Sequence, residues 1–140
     1  MADSGNTLRV EVVSPERVLF SGEATQVITR TMGGGEIAFL PGHAAFLGAL
    51  VENHTRVYLA DGKIQDIAVH LGFVEVGPHH VSILSDAAEL AEDIDVARAR
   101  AAKERAEEQM RSGHSAEVEA DLRRAHARIA ATGGMPGIGH

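Results

Sequence analysis

An antiparallel β-sandwich followed by a two-helix hairpin is the fold class that this 140-residue sequence predicts. Two observations predict it. Up to about Ala88, β-branched residues are dense and turn residues recur every few positions. Beyond it alanine dominates, as in Ala97, Ala99, Ala101, Ala102 and Ala106. Charge divides at the same place. Residues 1–88 carry 5 basic and 10 acidic side chains, and residues 89–140 carry 8 and 10. The denser charge of the second part suits helices with solvated outer faces. The expected organisation is a sandwich over 1–88, a hairpin over 89–132 and a flexible tail over 133–140.

Leu8, Val10 and Val12 alternate with Arg9 and Glu11, the period of a half-buried strand. Ser14-Pro15-Glu16 turns the chain, and Val18-Leu19-Phe20 begins a second apolar run. Further runs follow at Val27-Ile28, Ile37 to Leu40, Phe46 to Val51, Val57 to Leu59, Ile64 to Leu71, Phe73 to Val76 and Val81 to Leu84. Gly33-Gly34-Gly35, Pro41-Gly42, Asp61-Gly62 and Gly77-Pro78 separate them. Asp61-Gly62 is the sharpest hairpin signal, predicted as a type I′ turn because both residues tolerate positive φ. About nine short strands at this spacing argue for an antiparallel sandwich or barrel.

In the second part Asp93 or Asp95 is placed to cap a first helix, whose buried stripe is Ala99, Ala102, Ala106 and Met110. Arg111 to Ser115 breaks the run. Ser115 caps a second helix, with Glu117 and Glu119 near its positive end and a stripe of Val118, Leu122, Ala125 and Ile129. Gly133-Gly134 ends it. Glu107–Arg111 and Glu119–Arg123 are predicted as i,i+4 pairs. An alanine face lets two helices approach closely but buries little, since each Leu replaced by Ala forgoes burial worth roughly 0.8 kcal/mol per CH₂. The hairpin should therefore form and hold the sandwich weakly.

Several function classes are excluded at this level. Without cysteine there is no disulfide framework, Cys-ligated zinc or thiol nucleophile. A formal charge of −7 argues against a nucleic-acid footprint. The longest apolar stretch, Ile37 to Val51, is interrupted by Pro41, Gly42, His43 and Gly48 and falls short of the roughly 20 residues of a membrane helix. The opening residues lack a signal core or Arg-rich transit pattern, which points to a soluble, cytosol-facing chain. Gly33-Gly34-Gly35 precedes a strand and lacks the Lys-Ser/Thr of a phosphate loop. No Gly-x-Ser-x-Gly elbow or His-Glu-x-x-His pattern is present. A free-standing sandwich binding a metal or ligand through His43, His70 or His80 is the alternative reading.

One cluster stands apart. Asp95 and Arg98 share a helical face, and Arg105 follows two turns later. If the two helices run antiparallel, Arg98 and Arg105 converge with Arg124 and Arg128, and the planar guanidinium fork suits phosphate oxygens. A solvated, salt-bridged surface is the competing reading of the same arginines.

The run Val12-Val13-Ser14-Pro15-Glu16-Arg17-Val18-Leu19-Phe20-Ser21-Gly22-Glu23-Ala24 resembles the opening of the epsilon-subunit family of F-type ATP synthases. Gly35-Glu36-Ile37 leading to Leu40-Pro41-Gly42-His43-Ala44 resembles its next motif. Gly72 to Val76 and Ser82 to Glu89 resemble its last strands. Ile94-Asp95-Val96-Ala97-Arg98-Ala99 is similar to the Ile/Leu-Asp-x-x-Arg-Ala start of its C-terminal helices. The five motifs are collinear over about 8–131. Departures are Ala38-Phe39, Ala45 and Leu71, where the family often has Gly-Ile, Pro and Gly.

The resemblance implies a ten-strand sandwich, a helical hairpin and a non-catalytic place on a rotating central stalk. Its implied partners are a gamma subunit, a membrane c-ring and an alpha/beta catalytic hexamer, with the membrane reached only through the assembly. It also implies a peripheral location, with the cytoplasmic face of a bacterial plasma membrane favoured over a plastid thylakoid. No cofactor is required. Regulatory ATP is implied at Glu89, Ile94, Asp95, Arg98, Ala99, Arg105, Arg124 and Arg128. Rotor contact is implied around Gly33 to Glu36 and Pro41 to His43, with Gly35, Glu36, Pro41 and His43 as the named contacts.

Overall fold

A computed structural model describes residues 6–133. Expectations for the tail beyond Gly133 lie outside the described residues. The chain forms strands β1 (Leu8–Val13), β2 (Val18–Thr31), β3 (Gly35–Phe39), β4 (Phe46–Leu50), β5 (Asn53–Leu59), β6 (Ile64–Val69), β7 (Gly72–Gly77), β8 (His80–Leu84) and β9 (Glu89–Leu90). A 3₁₀ turn, Ala91–Asp93, leads to helices α1 (Val96–Ser112) and α2 (Ala116–Ala131).

The nine strands run in the order β1-β8-β7-β4-β2-β5-β6-β9, with β3 on β2 and β1 also paired to β2. Because β1 touches both β8 and β2, the sheet folds back on itself as a flattened sandwich. The 14-residue β2 joins the layers, pairing with β1 along Val18–Ala24 and with β3 along Val27–Thr31. Pairing is antiparallel except between β1 and β8, which run parallel. The interior is filled by alternating strand residues, among them Leu8, Val10, Val12, Val27, Val57, Val74, Val81 and Ile83.

Three local expectations need correction. Val18-Leu19-Phe20 and Val27-Ile28 are one strand, because the polar stretch between them keeps its ladder with β1 and β5. The count of nine is restored by β9, two residues long and without a hydrophobic run of its own. The turn at Asp61-Gly62 is not type I′. Gly62 alone has positive φ, at 93°, and its N–H bonds Leu59 O at 3.0 Å, which describes a type I turn followed by a left-handed glycine.

Leu71 is the single non-glycine residue among those described with positive φ, at 64°. This is the position where the resemblance leads one to expect glycine. The next residue, Gly72, has φ 141°, and a Cβ there would lie 2.0 Å from the Leu84 carbonyl oxygen.

Both helix caps form as the sequence predicts. Asp95 Oδ1 accepts from Arg98 N at 3.0 Å, and Ser115 Oγ accepts from Val118 N at 3.2 Å. The predicted i,i+4 pairs do not. Arg111 turns to Glu108 instead, and Arg123 leaves the helix surface to bond Glu52 of the sandwich. α1 packs chiefly on α2 and buries Ala99 and Ala106, while α2 lies across β5 and β6. No described helix is long and apolar enough to cross a membrane.

Candidate functional site

The dock between α2 and the sandwich is built from small groups. Ala127 and Ala131 meet Ala68 of β6 and Ile94 of the linker. Around this apolar contact stand two charged anchors. Arg123 Nε donates to Glu52 Oε1 at 3.0 Å, where the Glu52 side chain is only 2% exposed. Arg128 Nε donates to Glu89 Oε1 at 2.5 Å. That same oxygen accepts from His70 Nε2 at 3.0 Å. His70 directly follows β6, and its side chain is 2% exposed.

Glu89 is therefore shared between sandwich and hairpin. Burial pushes its carboxyl upward, but hydrogen bonds from Arg128 and His70 outweigh burial and hold it below the usual carboxylate range. For His70, burial is the largest influence and lowers its pKa. The bond to Glu89 opposes this, and the charges of Arg128 and Arg124 add to the lowering. The imidazole is accordingly neutral near pH 7, with its proton on Nε2, the atom facing the carboxylate.

Beside Arg128 opens a cleft of about 400 Å³ lined by Glu89, Asp93, Asp95, Arg98, Ala99, Ala102, Arg105 and Arg128. The helical period brings Arg98 and Arg105 of α1 onto the same side as Arg128 of α2. Arg98 and Arg105 enter no ion pair among the described residues, so their forks are open to an anion. Asp95 is occupied in capping α1.

Of the eight sequence-derived nucleotide positions, Glu89, Asp95, Arg98, Ala99, Arg105 and Arg128 line this cleft. Ile94 does not. It is buried against Ala68 and α2, where its side chain belongs to the dock. Arg124 pairs with Asp121 one turn from Arg128 and also stands outside the lining. Asp93 and Ala102 line the cleft unforeseen. The residues expected at a rotor contact lie at the two ends of β3. Gly35 and Glu36 begin β3, and Pro41 and His43 follow its end, roughly 15 Å away at the usual rise per strand residue. The His43 ring stands edge-on to Phe39, with centroids 5.0 Å apart.

The histidines of the metal alternative are dispersed in role: His43 against Phe39, His70 on Glu89, and His80 exposed at the start of β8. Among the described residues no three His, Asp or Glu side chains gather as a metal site.

Family profiles match both parts in order. The beta-sandwich domain of the ATP synthase Delta/Epsilon chain matches residues 7–91, and its long alpha-helix domain matches 92–133. The chain belongs to the ATP synthase Delta/Epsilon chain family. It is an epsilon-type chain, a non-catalytic subunit of F-type ATP synthase. The ATP synthase epsilon chain of Shouchella clausii is 41% identical over 125 residues, covering 88% of this chain and 92% of its own. That of Halalkalibacterium halodurans is 41% identical over 133 residues, covering 91% and 98%. Among solved structures, a chain of the Euglena gracilis mitochondrial ATP synthase superposes with a TM-score of 0.78 at 22% identity, covering 90% of this chain and 81% of that one. This last likeness concerns the fold alone.

Three functional-site residues escaped sequence reasoning: Glu52, Arg123 and His70 as a partner of Glu89. Their partners lie 71 residues away for Glu52–Arg123 and 19 for His70–Glu89.

Proposed function

We propose that this epsilon chain sits on the rotor of the synthase, coupling proton flow to ATP synthesis through a gamma subunit and the c-ring. Its hairpin alternates between the docked form seen here and a form extended toward the alpha/beta hexamer that obstructs ATP hydrolysis. ATP is the regulatory ligand of the docked form, held by Arg98, Arg105 and Arg128. Gly35, Glu36, Pro41 and His43 are rotor contacts made as two separate patches.

The observation carrying this reading is the arginine-lined cleft formed where both helices meet β9. It exists only while α1, α2 and Glu89 are together, so a ligand seated there stabilises the docked form. Free ATP at about ten times its dissociation constant adds about 1.4 kcal/mol, a roughly tenfold shift in favour of docking. That is decisive only between states close in energy, and a dock of alanines with two ion pairs supports such a balance.

The experiment is nucleotide titration of the isolated protein and of the Arg98→Ala/Arg105→Ala variant. Saturable ATP binding that the double variant loses supports the cleft, and unchanged binding overturns it. Co-purification with the gamma and alpha/beta subunits tests the place in the assembly.

A further inference from the structure

We propose that His70 is a proton-sensitive latch: neutral, it helps hold the hairpin against the sandwich, and protonated, it releases α2. The inference rests on the docked and extended states proposed above.

The geometry that carries it is a buried imidazole with one nitrogen engaged and the other alone. Nε2 donates to Glu89, while Nδ1 is inaccessible and has no hydrogen-bond partner among the described residues. In the neutral ring Nδ1 is a lone pair, and leaving a weak acceptor unmatched is tolerable. Protonation converts it into a buried N–H with no acceptor, which folded proteins avoid strongly. The new charge also faces cations. Arg128 and Arg124 approach from α2, and their charges already act on His70. Among the described residues Glu89 on β9 is the single anion bonded to the ring, and it is committed at the same oxygen to Arg128. Asp86 lines a groove that His70 also borders, but Asp86 is exposed and makes no bond to the ring.

Departure of α2 removes both arginines at once. Protons therefore bind the undocked form more readily than the docked form. The sign follows: above the ordinary imidazole pKa the docked form is fully favoured, and as pH falls from that value toward the lowered docked-state value the preference declines. One proton taken up per release sets the limit at about tenfold per pH unit.

The absence of cysteine allows a clean distance label on the full-length protein through Lys63→Cys on the sandwich and Glu117→Cys on α2, both exposed. Acidification from about pH 8 to about pH 5, spanning the imidazole range, is expected to lengthen the distance. In the His70→Gln background, which keeps a donor toward Glu89 but cannot titrate, the distance stays short at every pH. The same pH profile in both proteins overturns the latch while leaving nucleotide-controlled docking intact. A distance that neither pH nor ATP changes overturns both. Should the glutamine variant not fold, the His70 ring resonances of the parent protein decide the matter: saturating ATP is expected to lower the titration midpoint, and an unmoved midpoint refutes the latch.

Discussion

His70 of the sandwich and Arg128 of α2 converge on one atom, Oε1 of Glu89. The carboxylate thus bonds sandwich and hairpin at one atom. Removing the hairpin's contribution alone, by Arg128→Ala, is expected to weaken docking by about 1 kcal/mol once solvent screening of this partly exposed pair is counted. Hydrogen exchange in α2 should quicken, with protection in β5 and β6 retained.

The second anchor should matter more. The Glu52 side chain is almost wholly buried, and Arg123→Ala removes its ion-pair partner among the described residues. A loss of about 2 kcal/mol in docking is expected, because an uncompensated buried charge is costly. The combined Glu52→Gln/Arg123→Ala protein should recover part of it. Denaturant midpoints for the single and double variants measure the difference.

Leu71 and Gly72 give a contrasting pair of backbone predictions. Leu71 is 47% exposed and left-handed, so Leu71→Gly gives up little burial and relieves strain. After the entropy cost of glycine, a gain of about 0.5–1 kcal/mol is expected. Gly72→Ala drives a methyl group into the Leu84 carbonyl and should cost more than about 3 kcal/mol. Urea unfolding of both variants checks the sign and the gap.

Acid stability should depend on Asp66. Burial pushes its carboxyl upward, yet hydrogen bonds from His54 at 2.6 Å and Arg56 at 3.0 Å hold it below its ordinary value. A carboxyl lowered on folding contributes stability above its unfolded pKa and loses it as pH falls through the folded value. Asp66→Asn should therefore be less stable at neutral pH and show a shallower acid decline. Thermal midpoints from neutrality downward compare the two.

Much of this was legible because it is local. Asp95 and Ser115 cap their helices through bonds spanning three residues, and Arg98 and Arg105 converge by helical period alone. The surroundings of Ile94 were not legible: motif membership fixes its position but not the side of the chain it faces, and it is buried with Ala68. The dock was only half legible. Its alanine content could be read directly, whereas the Arg123–Glu52 bond joins segments that become neighbours only after the sheet has closed. β9 left no trace because two residues carry no period, and the parallel β1–β8 pair is a product of closure.

The facing surfaces of α2 and β6 are methyl groups fringed by carboxylates and guanidinium groups. Such a seam can part without exposing a broad greasy patch that invites aggregation. If it opened, water would replace the ionic bonds on either side. A joint of this composition would, on the proposed reading, tolerate repeated separation and reunion.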